Sequence, residues 1–195
     1  MSRDEILNKN SKVFLKVDGW NEKRLFEYSK RHLVAARVIF ENQDTEVYIL
    51  SVFSGGYLCH LGIELLLKGC WLFEKGFFEN EHDLHKLAKK IDFLNFNDKQ
   101  KVYLSNIQLF NEMRYPQDLS NVKLVQDSDI DANLPEEIGD HDWIGTIELL
   151  HGIQNQMPID LQQISKSVFA CFKNILTEKK YLKKGKYLYR LVLNI

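Results

Sequence analysis

This sequence has little cysteine and almost no net charge, and both features narrow what it can encode. Among its 195 residues there are three cysteines, Cys59, Cys70 and Cys171, without the paired spacing of a metal site or a redox motif. An odd, scattered set suits a reducing compartment, so we expect a cytoplasmic protein whose cysteines are small buried hydrophobes. The formal net charge of -1 gives no global field that marks a nucleic-acid binder, so that function would need a local patch.

A membrane protein is not expected either. The opening MSRDEILNKN is polar and has no apolar signal-peptide core. Residues 47 to 63 contain no Asp, Glu, Lys or Arg, which approaches the length of a spanning helix. Serines, glycines and His60 interrupt that stretch, however, and Glu64 and Lys68 stand where a span would have to continue. We therefore predict a buried helix of a bundle.

Several common chemical motifs are missing. There is no phosphate-binding glycine loop, no dinucleotide-binding glycine pattern and no serine nucleophile motif. The segment DSDIDAN begins like a calcium loop, but Ala132 stands where that loop needs glycine and Ile138 where it needs glutamate. We expect residues 117–142 to be irregular, with a solvated acidic loop at residues 127–142, and we expect neither a metal nor a cofactor.

Helical periodicity is the main positive signal. Apolar residues recur at intervals of three and four, which predicts an all-α, up-and-down bundle of about five helices with a long acidic loop. Candidate helices cover residues 21–42, 46–75, 82–94, 97–115, 143–154 and 160–182. Asn21 and either Asn97 or Asp98 are predicted N-caps, and Gly76 is a predicted stop.

The chain ends have a different pattern from the bundle. KVFLKV near the N-terminus and KYLYRLVLNI at the C-terminus have strand character, and pairing them would give the fold a short terminal β pairing. The predicted organisation is therefore an N-terminal lead-in at 1–21, a helical bundle at 22–182 and a basic and apolar tail at 183–195.

The predicted second helix has two distinctive faces. One face carries a polar row, and the other carries small residues. The polar row consists of His60, Glu64 and Lys68, and the small face of Gly55, Cys59, Gly62 and Gly69. Each helical glycine costs about 1 kcal/mol relative to alanine, so several of them indicate close approach of another backbone or room for a ligand.

The polar row allows three interpretations. A Glu–Lys pair four residues apart could lie at the edge of the bundle in water, contributing about 0.2–0.5 kcal/mol. It could instead face a groove between helices, where the charges meet a ligand or a second subunit. A metal site using His60 and Glu64 is the third, although no second helix offers a convincing Glu/His pair.

Three short features, in order along the chain, resemble the HEPN family of small helical domains. They are GIELLLKGCWLFEKG, EHDLHKLAKKI and NEMRYP, and they place the family pattern at Glu64, Leu67 and Lys68, at His82, Asp83 and Leu84, and at Arg114, Tyr115 and Pro116. The resemblance spans about residues 22–116. It implies a helical bundle, often dimeric, that either cleaves RNA or binds a nucleotide or partner. Such domains occur in toxin–antitoxin, phage-defence and nucleotidyltransferase-associated systems.

The ribonuclease branch of that family carries an arginine followed, after four to six residues, by a histidine. None of the arginines of this chain is followed by a histidine at that distance, and residues 160–182 contain neither residue type. RNA cleavage of the HEPN type needs a proton-transfer group and a cation at the phosphate. The departure from the pattern therefore points away from nuclease activity.

The other candidate residues each have a structural and a functional interpretation. Asp83 complements a helix dipole, His82 caps or stacks, and Arg114 with Tyr115 ends a helix; alternatively, Lys68 and Arg114 converge as anion ligands. A basic cluster interleaved with tyrosines is either a solvated helix end or an RNA-binding patch. It comprises Lys179, Lys180, Lys183, Lys184, Lys186 and Arg190.

These observations lead us to expect a non-catalytic, HEPN-like cytoplasmic module that forms a homodimer. It would bind a partner protein, such as a nucleotidyltransferase, or a nucleotide or RNA. The candidate ligand-binding residues are His60, Glu64, Lys68, His82, Asp83, Arg114 and Tyr115. Two alternatives stay open: a divergent metal-independent ribonuclease using Arg114 and His82, and a purely structural dimerisation domain.

Overall fold

The computed structural model describes residues 13–15, 19–41, 48–112, 122–126, 141–171 and 189–193, and within these ranges it is mostly helical. The described elements are β1 (Val13–Leu15), α1 (Glu22–Glu41), α2 (Tyr48–Lys75), β2 (Phe77–Glu79), α3 (Leu84–Lys89), α4 (Asp98–Glu112), β3 (Val122–Gln126), α5 (His141–Gln156), α6 (Ile159–Ala170) and β4 (Tyr189–Leu193). The predicted all-α bundle is confirmed, with six described helices. No described helix is both long enough and apolar enough to cross a membrane.

The helix ends follow local chemistry. Asn21 Oδ1 accepts a hydrogen bond from the Arg24 N–H at 2.8 Å, and Asn97 Oδ1 accepts one from the Gln100 N–H at 2.9 Å. Both are N-caps, because each satisfies a donor that the first helical turn cannot pair internally. Asn21 was predicted in this role, and of the two candidates Asn97 and Asp98 the structure selects Asn97. Gly76 ends α2 with a φ of 78°, a conformation that glycine adopts without strain.

The small face of α2 packs antiparallel against α1. Three α1 side chains, spaced seven residues apart, cover three α2 glycines spaced in the same way. The pairs are Phe26 with Gly69, Leu33 with Gly62, and Phe40 with Gly55. A Cβ built on these glycines would lie 2.4, 2.5 and 2.8 Å from the covering side chain, respectively. The glycines therefore allow close helix packing, and their space holds α1 side chains and not a ligand.

Helix α2 is the centre of the fold. It contacts α1 on one side and α3, α4 and α5 on others, while α6 packs against α1. The fully buried side chains include Leu66, Leu67 and Leu72 from α2. Cys59 and Cys70 are buried, as predicted, and burial raises the pKa of the Cys70 thiol far above its usual value.

The strands correct two predictions. Both terminal segments form strands, but they do not pair with each other: β1 pairs antiparallel with β2, and β4 with β3. The terminal pairing is wrong because a short alternating pattern marks a strand without specifying its partner. Residues 117–142 were expected to be irregular, yet Val122–Gln126 forms β3. Residues 127–140 lie outside the described part of the chain.

Other boundaries differ modestly. The predicted helix at 82–94 is limited to Leu84–Lys89, because the chain turns at Lys90 and continues through short turns. Helix α5 begins at His141 and ends at Gln156, slightly beyond the predicted 143–154. The last predicted helix, 160–182, is described from Ile159 to Ala170, and its remainder lies outside the described residues.

Candidate functional site

The polar row lies on one face of α2, as its spacing predicts, but inside the protein. His60 is 0% exposed, and Glu64 and Lys68 are each 5% exposed. The interpretation of Glu64 and Lys68 as a solvated pair at the edge of the bundle is therefore wrong. A buried charge is tolerated only when it is paired and hydrogen-bonded, so the partners of these groups define the site.

The Glu64 carboxylate is the centre of this site. Lys68 Nζ donates to Oε1 at 2.6 Å, and His82 Nδ1 lies 3.1 Å from Oε1 and 3.2 Å from Oε2. His60 Nδ1 is 3.8 Å from Oε2. A carboxylate can only accept, so the Nδ1 of His82 donates to it, and in a neutral ring Nε2 keeps the free lone pair. One face of α2 thus fixes the tautomer and the orientation of His82.

The segment preceding α3 places His82 over Glu64. Glu81 Oε1 accepts from the backbone N–H groups of His82 and Asp83, each at 3.0 Å. Asp83 Oδ1 accepts from the Lys86 N–H at 3.0 Å and caps α3, while the Leu84 N–H donates to Gln108 Oε1 of α4 at 2.9 Å. These bonds satisfy the first donors of α3 and fix the segment on both sides.

His82 is the part of this site that reaches the surface. Its side chain is 45% exposed, compared with 6% for those of Glu64 and Lys68. Around it, Glu81, Asp83 and Lys86 carry the surface charges, with Lys86 Nζ 3.9 Å from Glu81 and 3.7 Å from Asp83. We call these three residues and His82 the His82 rim. It carries charges of both signs above a buried ion pair.

Aromatic side chains shield Lys68. Its Nζ lies 5.9 Å from the Phe78 ring centroid, at a distance where a cation and an aromatic ring attract each other. Phe78 stacks on Phe14 with centroids 5.0 Å apart and meets Trp20 edge-on at 5.6 Å. The β1–β2 pair supplies two of these three rings. This cover and the bond to Glu64 weigh against Lys68 as a free anion ligand.

His60 is the fully buried, uncharged residue of the site. Within the described ranges, neither of its ring nitrogens meets the geometry of a hydrogen bond, although the Gln108 side chain and the His82 backbone lie close enough to favour the charged ring weakly. Burial lowers the pKa of His60, and the nearby Glu64 carboxylate only partly opposes that effect. The ring is therefore neutral near pH 7. No group of three or more potential His, Cys, Asp or Glu ligands is arranged for a metal in the part of the chain that the structure describes.

The structure brings together four predicted site residues, His60, Glu64, Lys68 and His82, and it gives Asp83 a capping role. Arg114, Tyr115 and the lysines at 179–186 lie outside the described residues, and Arg190 lies in β4 opposite Val125.

Sequence reasoning missed three contributors to the site: Glu81, Phe78 and Gln108. Glu81 directly precedes the HDL motif, so its position was visible, but a glutamate before a helix has many possible roles. No periodic or motif signal connects Gln108 or Phe78 to Glu64.

No family model, curated protein or solved structure shows significant similarity to this chain. The HEPN resemblance thus depends on the short motifs themselves.

Proposed function

We propose that this chain is a HEPN-like cytoplasmic module that acts by binding a partner protein and not by catalysis. The observation that carries this proposal is the contact between the first two motifs of the resemblance. Glu64 and Lys68, from the first motif, meet His82, from the second, around one buried carboxylate. Leu67 and Leu84 of the same motifs are fully buried. The motif residues thus behave as one unit that fixes the His82 rim.

The charges of the site favour a protein over a nucleotide. Glu64 and Lys68 neutralise each other, and at the rim Lys86 is accompanied by Glu81 and Asp83. A phosphate group at His82 would face two carboxylates with little free positive charge nearby. Because the periphery of a protein interface is polar and solvent-accessible, charges of both signs around a partly exposed ring fit such a periphery better than a phosphate site.

One candidate partner is a second copy of this chain, because the HEPN resemblance implies dimers. The other candidate partner is a nucleotidyltransferase, because HEPN domains occur in nucleotidyltransferase-associated systems. Both suit a domain without the Arg-to-His spacing of the ribonuclease branch. In either case the His82 rim would lie in the contact area.

One observation favours a second candidate function, a metal-independent ribonuclease. The hydrogen bond from His82 Nδ1 to a carboxylate resembles the arrangement that orients a histidine for proton transfer. The half-exposed ring could then accept a proton from an RNA hydroxyl through Nε2. That mechanism also needs a cation at the phosphate, for which Arg114 is the candidate.

The first experiment separates these functions. Purified full-length protein is incubated with labelled single-stranded RNA in EDTA, beside His82→Ala and Arg114→Ala variants. We expect intact RNA in all three samples. Cleavage by the unmodified protein that either substitution abolishes would replace the binding proposal with the ribonuclease.

The second experiment tests self-association. Sedimentation velocity compares the unmodified protein with Lys86→Glu at the rim and with Lys101→Glu on α4 as the matched control, since both lysines are well exposed. We expect a dimer that Lys86→Glu weakens and Lys101→Glu leaves intact. A protein that stays monomeric at high concentration, or a dimer that responds equally to both changes, would exclude the rim as a homodimer contact.

A further inference from the structure

Helix α1 and Trp20, which precedes its N-cap, form a second surface that shares only Trp20 with the aromatic cover of Lys68. The Arg24 guanidinium lies 5.3 Å from the Trp20 ring centroid and 5.8 Å from that of Tyr28, and the Arg31 guanidinium lies 5.4 Å from Tyr28. We call these four residues the α1 ladder. Arg24, Tyr28 and Arg31 are spaced four and three residues apart and share one face of α1, and Trp20 lies just before the N-cap, within reach of Arg24. Aromatic and cationic groups therefore alternate in space as well as in sequence.

The ladder is accessible. Arg24 and Arg31 are exposed, and Trp20 and Tyr28 are half-buried. Each aromatic ring is thus anchored in the structure while part of it remains open. Along α1, which rises about 1.5 Å per residue, Arg24 to Arg31 span roughly 10 Å, and Trp20 extends the ladder beyond the start of the helix. That length accommodates a short stretch of an extended chain.

The local charge of this surface is positive, although the net charge of the whole chain is near zero. Lys23 is exposed and Lys30 half-buried beside the ladder. Among the described residues, neither Arg24 nor Arg31 forms an ion pair with a carboxylate. Glu27 lies between them in sequence, but its Oε1 accepts a hydrogen bond from Ser167 of α6 at 3.2 Å. The cations are therefore available to an external polyanion.

From this combination we infer that the α1 ladder binds single-stranded nucleic acid. Lysine and arginine side chains would contact the phosphates. Unpaired bases would stack on Tyr28, Trp20 and the guanidinium planes, because aromatic rings and guanidinium groups both offer flat faces to a base. A surface of cations alone would fit any polyanion, whereas the alternating rings select a polyanion that carries bases. This inference is independent of the partner-protein proposal, which concerns the His82 rim.

The test measures affinity by fluorescence anisotropy with the full-length protein. The probes are labelled oligouridine and oligothymidine, with polyglutamate as a polyanion that lacks bases. Dissociation constants are measured between 50 and 200 mM salt, and the two oligonucleotides separate RNA from DNA preference. We expect both oligonucleotides to bind and polyglutamate to bind much more weakly.

Two kinds of variant separate stacking from charge. Tyr28→Ala should weaken binding roughly 5- to 150-fold at every salt concentration, the range for loss of a base-stacking ring, and Tyr28→Trp should retain it. The pair Arg24→Gln and Arg31→Gln should reduce the slope of log affinity against log salt by about 1.4, or about 0.7 for each lost phosphate contact. The matched control is Lys89→Gln with Lys101→Gln, two exposed lysines on α3 and α4.

Three results would overturn the inference: no oligonucleotide binding at 50 mM salt, an equal loss in the lysine control, or polyglutamate binding as tightly as the oligonucleotides. The last result would instead indicate a surface for acidic proteins. Because the ladder variants leave the His82 rim intact, they should not change self-association. Failure of this inference is therefore distinguishable from failure of the proposed function.

Discussion

The two faces of α2 are both buried, but they are stabilised by different physics. Toward α1, Gly62 and Gly69 accept large apolar side chains, and the contact depends on shape. On the polar row, Glu64 and Lys68 bury opposite charges, and the contact depends on keeping each charge paired. One helix thus shows two ways of filling an interior: close packing, which tolerates little added volume, and ion pairing, which tolerates no missing partner.

The two faces also differ in their roles: the small face has a packing role, and the polar row belongs to the candidate functional site. The small face holds α1 and leaves no room for a ligand. The polar row holds His82, whose ring is nearly half exposed. A buried ion pair is often no more stabilising than a well-packed apolar pair. Its presence here is better explained by the fixed position it gives to His82 than by stability.

The largest expected effect comes from breaking the buried pair. Glu64→Leu leaves the Lys68 ammonium without its carboxylate at a 5% exposed position, so we expect a loss of about 3–5 kcal/mol in the free energy of unfolding. Adding Lys68→Met should recover a large part of it. Urea unfolding measures both variants, and a loss below about 1 kcal/mol, or no recovery, would contradict the buried, paired state.

Overpacking the small face should have an intermediate effect. Gly62→Ala places a methyl group 2.5 Å from Cγ of the fully buried Leu33, so we expect a net loss of about 1–2 kcal/mol after the gain in helix propensity. Gly55→Ala is the matched control, because the Phe40 ring that it meets is only half-buried and can shift. Thermal unfolding compares the two, and equal effects would argue against the packing difference.

Acid should lower the free energy of unfolding of the protein through the polar row, which contains a titrating histidine, and not through the small face. Burial lowers the pKa of His60 below 6.5, so the folded protein binds fewer protons than the unfolded chain as the pH falls through that value. Stability should therefore decrease below about pH 6.5 and be unaffected by this group above it. Burial lowers the pKa of His32 too, so part of the trend has another source.

The control for this prediction removes the titrating group. Urea unfolding of the unmodified protein and of His60→Gln between pH 7.5 and pH 5 should show a smaller decrease in the variant. The same decrease in both proteins would assign the acid sensitivity to other groups, such as His32.

The smallest effect is expected at an ion pair in water. Lys101 Nζ lies 3.0 Å from Asp98 Oδ1, three residues away, but both side chains are well exposed. Solvent and salt screen such a pair, so Lys101→Ala should leave the unfolding midpoint within error of the unmodified protein. A clear loss of stability in Lys101→Ala would contradict the conclusion that burial makes the Glu64–Lys68 pair matter more than an exposed pair.

Local patterns predicted most of the helices and their ends, since a cap or a stop depends on neighbouring residues. Asn21, Asn97 and Gly76 illustrate this. Local patterns could not predict which strands pair, because a strand of three to five residues contains too little information to select its partner. The terminal pairing failed for that reason.

For the candidate site, four-residue spacing already placed His60, Glu64 and Lys68 on one face of α2. It left open whether that face met water, a groove or a metal. Only the tertiary structure decided that the row is buried, that His82 lies against Glu64 from 18 residues away, and that the Gln108 side chain fixes the start of α3. The physical reason is that periodicity determines which residues share a face, whereas burial and long-range hydrogen bonds depend on which elements pack against it.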